Sequence, residues 1–188
     1  PAADGRIKPD VVGFSDSIRT AAETGDSAYT SVFSGTSAAA PAVAGAAGLL
    51  AEMFAAGVFG PRPFGPTVFS RRPRAATLKA LLIDGAAGYP FSGPGADLDR
   101  MRQGFGRPDV AASLARGQAG LMDVVDGTAP LVQGGVFQRT YATTSGSAEF
   151  RATLVWPDPP AAPFSALHRV NDFDLEAVAP DGTVYRGN

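Results

Sequence analysis

Cysteine is missing from all 188 residues. That excludes disulfides, thiol nucleophiles and cysteine-based zinc sites, and is compatible with either a reducing compartment or a secreted protein stabilised by other means. Histidine is nearly missing, His168 being the single one. Charge is scarce and scattered, 16 basic against 18 acidic residues for a formal net charge of -2, so nothing points to nucleic acid or to an anionic membrane surface as a partner. The one basic cluster, Arg62, Arg71, Arg72 and Arg74 among Pro61, Pro63, Pro66 and Pro73, reads as a solvated loop. No stretch approaches the ~20 continuous apolar residues of a membrane span. Pro1 Ala2 Ala3 Asp4 is neither an initiator Met nor a signal-peptide start, and the chain reads as an internal piece or a processed product.

What is present is a globular composition, 45% hydrophobic and 18% charged, enough for one sizeable core or two small ones. The most informative stretch is Ser34 Gly35 Thr36 Ser37 Ala38 Ala39 Ala40 Pro41, followed by Val43 Ala44 Gly45 Ala46 Ala47 Gly48 Leu49 Leu50. It sets a hydroxyl, Ser37, where a glycine turn meets a helix of small residues. Backbone N–H groups are unpaired at such a place and the helix dipole favours negative charge. Acyl transfer needs this environment, because the tetrahedral intermediate carries an oxyanion that must meet donors already in place. On the glycine turn alone Ser37 could equally be an N-cap, a position that favours Ser and Thr whether or not anything reacts.

Along the chain, residues 8–14 are expected to form a buried strand leading into a polar loop over 15–26, with 29–33 approaching the serine. The small residues between Thr36 and Gly57 predict a central, buried helix with Pro41 at or just after its first turn. Residues 59–73 read as surface loop, 75–86 as a second helix stopped by Gly85 and Gly88, 90–106 as loop, and Pro108 opens a third helix through Leu114. After Gly120 the period changes to two. Ala148, Phe150, Ala152, Leu154 and Trp156 alternate with Glu149, Arg151, Thr153 and Val155; Phe173, Leu175 and Ala177 repeat the pattern, and Pro180 Asp181 Gly182 marks a turn before Val184. Successive strands without helices imply an antiparallel sheet, part of a sandwich, with a domain boundary near residue 120.

Four segments in order are similar to the subtilases, the subtilisin-like serine proteases: Gly5 Arg6 Ile7 Lys8 Pro9 Asp10 Val11 Val12, the serine segment 34–50, Leu78 Lys79 Ala80 Leu81 Leu82 Ile83, and Gly104 Phe105 Gly106 Arg107. The tail extends the resemblance, since Leu154 Val155 Trp156 Pro157 Asp158, Val170 Asn171 Asp172 Phe173 Asp174 Leu175, and Ala179 Pro180 Asp181 Gly182 Thr183 resemble the C-terminal β-sandwich of one subtilase branch. Gly13 Phe14 Ser15 and Ala42 depart from the family's usual residues at positions that carry no chemistry. The resemblance implies an α/β fold, residues 1–119 being the C-terminal part of a catalytic domain, followed by an antiparallel β-sandwich or jelly-roll segment over 120–188. It implies a secreted serine endopeptidase acting on polypeptide substrates, with Ser37 the catalytic residue, Thr36 the helix cap and no cofactor required for the chemistry. Subtilases order their triad Asp, His, Ser, and none of the 36 residues before Ser37 is His. The triad Asp and His and the oxyanion-hole amide are therefore expected in a missing N-terminal part of the catalytic domain, without which the chain is expected to be inert.

Gly35 Thr36 Ser37 Ala38 Ala39 also nearly fits the nucleophile elbow of α/β-hydrolases, with His168 downstream. That fold needs alternating strands and helices between Ser and His, whereas the helical pattern here stops by residue 121, and His168 reads as a surface loop residue. Asp172 and Asp174 share a strand face, and with Asn171 or Asp158 could form a structural calcium site or simply the wet face of a sheet. The alternative to an enzyme is a noncatalytic interaction or structural module in which the serine helix is only scaffold.

Overall fold

Two short strands come first in this computed structural model, which describes residues 6–61, 63–90, 100–127, 130–143, 149–166 and 169–187. Strands β1 (Ile18–Ala21) and β2 (Tyr29–Phe33) form an antiparallel hairpin, Ile18 opposite Phe33 and Ala21 opposite Tyr29. A strand thus replaces part of the expected polar loop over 15–26: Ile18 and Thr20 are half-buried while Arg19 and Ala21 face out, and the Arg19 guanidinium sits 5.1 Å over the Tyr29 ring. Residues 8–14, expected as a strand, form none. They are held by isolated bonds instead of a ladder, Val12 N–H donating to the Gly106 carbonyl at 3.0 Å and Phe105 N–H to the Asp10 carbonyl at 2.8 Å.

Helix α1 (Thr36–Ala56) ends at Gly57, whose left-handed backbone (φ 82°) lets its N–H reach the Met53 and Phe54 carbonyls. Pro41 lies inside the helix and has no N–H to give the Ser37 carbonyl. Then come α2 (Ala75–Asp84), β3 (Ala86–Ala87), the single turn α3 (Arg100–Gln103), β4 (Arg107–Pro108) paired antiparallel with β3, and α4 (Val110–Gln118). The Asp109 carboxylate caps α4 by accepting from Ala112 N–H at 2.9 Å, so the third helix starts at an acidic cap and runs past Leu114.

The expectation that α1 is buried along its length is corrected. Only Ala38, Leu50, Phe54 and Ala55 are buried, because the residues that α1 gives to the core, Leu50, Met53 and Phe54, come from its C-terminal half while most of its first half is exposed. At 21 residues and mean hydropathy 1.5, α1 is also long and apolar enough to cross a membrane by length and composition. A search for unbroken apolar runs misses this because Ser37, Pro41, Gly45 and Gly48 interrupt the run. The core centres on Leu50, Phe54, Phe59 and Leu81, with Met53, Leu78, Leu82 and Val110 against it.

Beyond residue 120, Met122 and Val124 join that core, and the Thr77 hydroxyl donates to the Asp126 carboxylate. Residues 149–156 are not in a strand, although Trp156 meets Phe173 edge-on at 5.2 Å. The only strands described in the tail are β5 (Glu176–Val178) and β6 (Val184–Arg186), an antiparallel pair joined by the expected turn, where Thr183 N–H donates to the Asp181 carboxylate at 2.9 Å. The helices and small antiparallel sheets fit an α/β domain; the described residues do not assemble a β-sandwich.

Candidate active site

The turn between β2 and α1 is built by a glycine in a conformation other residues avoid. Gly35 has φ 93° and ψ 178°, a region open essentially to glycine alone, and this reverses the chain so that the helix starts directly after the hairpin. Two contacts from a distant segment hold the turn. Gly35 N–H donates to the Ser15 carbonyl at 2.7 Å, and Ser17 N–H donates to the Ser34 hydroxyl at 3.5 Å. The Gly35 carbonyl accepts from Ala38 N–H at 2.9 Å and from Ala39 N–H at 3.3 Å.

Gly35 is therefore the N-cap, and Thr36, expected in that role, is the first helical residue and caps nothing. Ser37 is the second helical residue and exposed. Neither its hydroxyl nor the N–H groups of Thr36 and Ser37 have a hydrogen-bond partner among the described residues. An exposed hydroxyl thus stands beside two unpaired donors at the positive end of a long helix.

Gly13 carries the preceding segment across the first turns of α1, where a Cβ on it would lie 3.1 Å from the Ala39 carbonyl. Behind it, Asp10 accepts from Lys8 Nζ at 2.6 Å and lies 3.2 Å from Lys79 Nζ on α2. Partial burial raises the Asp10 carboxyl, but the hydrogen bonds and charges of Lys8 and Lys79 outweigh it and hold the group below its ordinary value. Gly104, at φ 59°, lets the turn before β4 press against the Pro9 and Asp10 carbonyls, where a side chain would collide. The stretch 8–13 thereby touches the serine helix, α2 and the turn before β4.

No carboxylate or imidazole bonds Ser37 among the described residues, and His168 lies outside them. The acidic residues of the tail do not gather. Asp158 accepts from Val170 N–H, Asn171 N–H and Asn171 Nδ2 at 3.0, 3.0 and 2.7 Å, while Asp172 pairs with Arg169 at 3.3 Å. No group of three or more His, Asp or Glu side chains able to hold a metal occurs among the described residues. The serines that fix the turn, Ser15 and Ser17, escape a reading of the sequence; the polar run Ser15 Asp16 Ser17 is the only signal they leave.

An accessible hydroxyl on the first turn of a helix, with backbone donors left free beside it, is the arrangement that serine hydrolases use for acyl transfer. Residues 1–117 match the subtilase family, and the chain belongs to that family of serine peptidases. It is similar to the serine protease/ABC transporter B family protein tagA of Dictyostelium discoideum, 26% identical over 214 residues that take in 100% of this chain and 12% of that protein. The chain therefore spans a small part of that relative's length. No solved structure matches it.

Proposed function

We propose that the chain is part of a secreted serine endopeptidase in which Ser37 is the nucleophile. The observation that carries this reading is the exposed Ser37 hydroxyl beside the unpaired N–H groups of Thr36 and Ser37 at the start of a 21-residue helix. In the reaction, Ser37 Oγ bonds to the carbonyl carbon of a peptide while its proton passes to a histidine, and the Ser37 N–H holds part of the oxyanion that forms. The peptide C–N bond then breaks, the leaving amine takes the proton, and water hydrolyses the acyl-enzyme. No cofactor takes part.

On this reading the Asp and His partners and the second oxyanion donor lie outside the chain; residues 1–119 supply the C-terminal part of the catalytic domain and 120–188 the start of a β-sandwich. Loss of the histidine costs such an enzyme roughly a million-fold in turnover, so the chain alone is inert. The test is a fluorophosphonate probe on the intact protein. Covalent labelling that disappears in Ser37→Ala supports the assignment, and labelling that persists in that variant removes it. An intact protein that never labels is a noncatalytic module.

A further inference from the structure

Between Glu52 and Asp84 the chain has no acidic residue, but it has Arg62, Arg71, Arg72, Arg74 and Lys79. Net charge averages this asymmetry away. Within the stretch, residues 65–71 fold on themselves. Thr67 N–H donates to the Ser70 hydroxyl at 3.0 Å, that hydroxyl donates to the Thr67 carbonyl at 2.8 Å, and Arg71 donates to the same carbonyl from its N–H and its Nε, both at 3.2 Å. Gly65 closes the loop by packing directly on Ser70.

A loop that satisfies its own polar groups in this way needs no partner to hold its shape, yet it presents Phe64 at 102%, Phe69 at 80% and Val68 at 53% exposure. Apolar side chains gathered on one exposed loop mark an interaction surface. Beside them Arg71 lines an open hollow of about 380 Å³ with Pro63, Phe64, Gly65 and Pro66. The combination is an apolar tip backed by fixed positive charge.

We infer that this loop docks on an anionic phospholipid bilayer, Phe64, Val68 and Phe69 entering the headgroup boundary while Arg71 and Arg72 pair with lipid phosphates. A bilayer suits the surface because it takes an apolar tip at shallow depth without specific hydrogen bonds, and its negative potential complements Arg71 and Arg72, which follow the tip directly in the chain. The inference is independent of Ser37.

The test is co-sedimentation of the intact protein with phosphatidylcholine vesicles, with and without phosphatidylserine. Binding about tenfold tighter to the anionic vesicles, weakened by added salt, is expected. The pair Phe64→Ser with Phe69→Ser, and separately Arg71→Gln with Arg72→Gln, should each lower it about tenfold. Phe69→Trp, which keeps the loop apolar, should give a blue-shifted emission quenched by nitroxide-labelled lipid. No preference for anionic vesicles, binding indifferent to both pairs, or a tryptophan beyond reach of the quencher would each overturn the inference. Equal binding to poly-glutamate without lipid quenching overturns it in favour of an acidic polypeptide.

Discussion

The carboxylate of Asp10 lies 3.2 Å from the ammonium of Lys79, tying the segment before the hairpin to helix α2. The same segment touches α1 through Gly13 and receives Phe105 N–H on the Asp10 carbonyl. Asp10 is thus the point at which the pieces around the serine turn are fastened together, and its ionisation should be felt in the stability of the whole.

Because the folded pKa of Asp10 is lowered, its contribution is present in full above the unfolded carboxylate value and is lost as pH falls through the folded one. Asp10→Asn should cost about 1 kcal/mol at neutral pH and flatten the loss of stability below about pH 4. Urea midpoints measured across the acid range check this; equal acid sensitivity in both proteins would refute it.

Gly35→Ala forces a side chain into a backbone region that costs about 1–3 kcal/mol. The variant should unfold earlier by that amount and lose probe labelling at Ser37, because relaxing the turn re-aims the helix start. Calorimetry beside labelling measures both effects.

Ser37→Ala should leave thermal stability within about 0.5 kcal/mol of the parent, since the residue is exposed and Gly35, not Ser37, occupies the cap position. A loss near 1 kcal/mol, the usual cost of deleting a capping hydroxyl, would restore the capping role instead.

Leu50 is 1% exposed at the meeting of α1, α2 and the tail. Leu50→Ala should cost about 2–5 kcal/mol, read as a shift in denaturant midpoint with unchanged slope.

Much of this was legible in the residues. Glycines bracket α1, and Gly85 stops α2 where the leucine spacing ends, since both signals are local. Ser37 stood out for the same reason. What stayed hidden is non-local: the bonds from Ser15 to Gly35 and from Ser17 to Ser34 run backbone to backbone or backbone to hydroxyl across many residues, and such contacts leave no side-chain pattern. Residues 8–14 have a strand's composition without a ladder partner, and residues 149–156 have its alternation without one among the described residues. A period of two declares which face is wet, not whether a neighbour is there to pair with.

The Arg151 guanidinium donates to the Asp84 carbonyl at 3.0 Å and to the Ala86 carbonyl at 3.4 Å, just where α2 ends. Anyone trimming the polypeptide at the last family-matched position, 117, would amputate that clasp together with Met122 and Val124. The shortened product should tend to clump when expressed, and workable excision points lie downstream of Arg151.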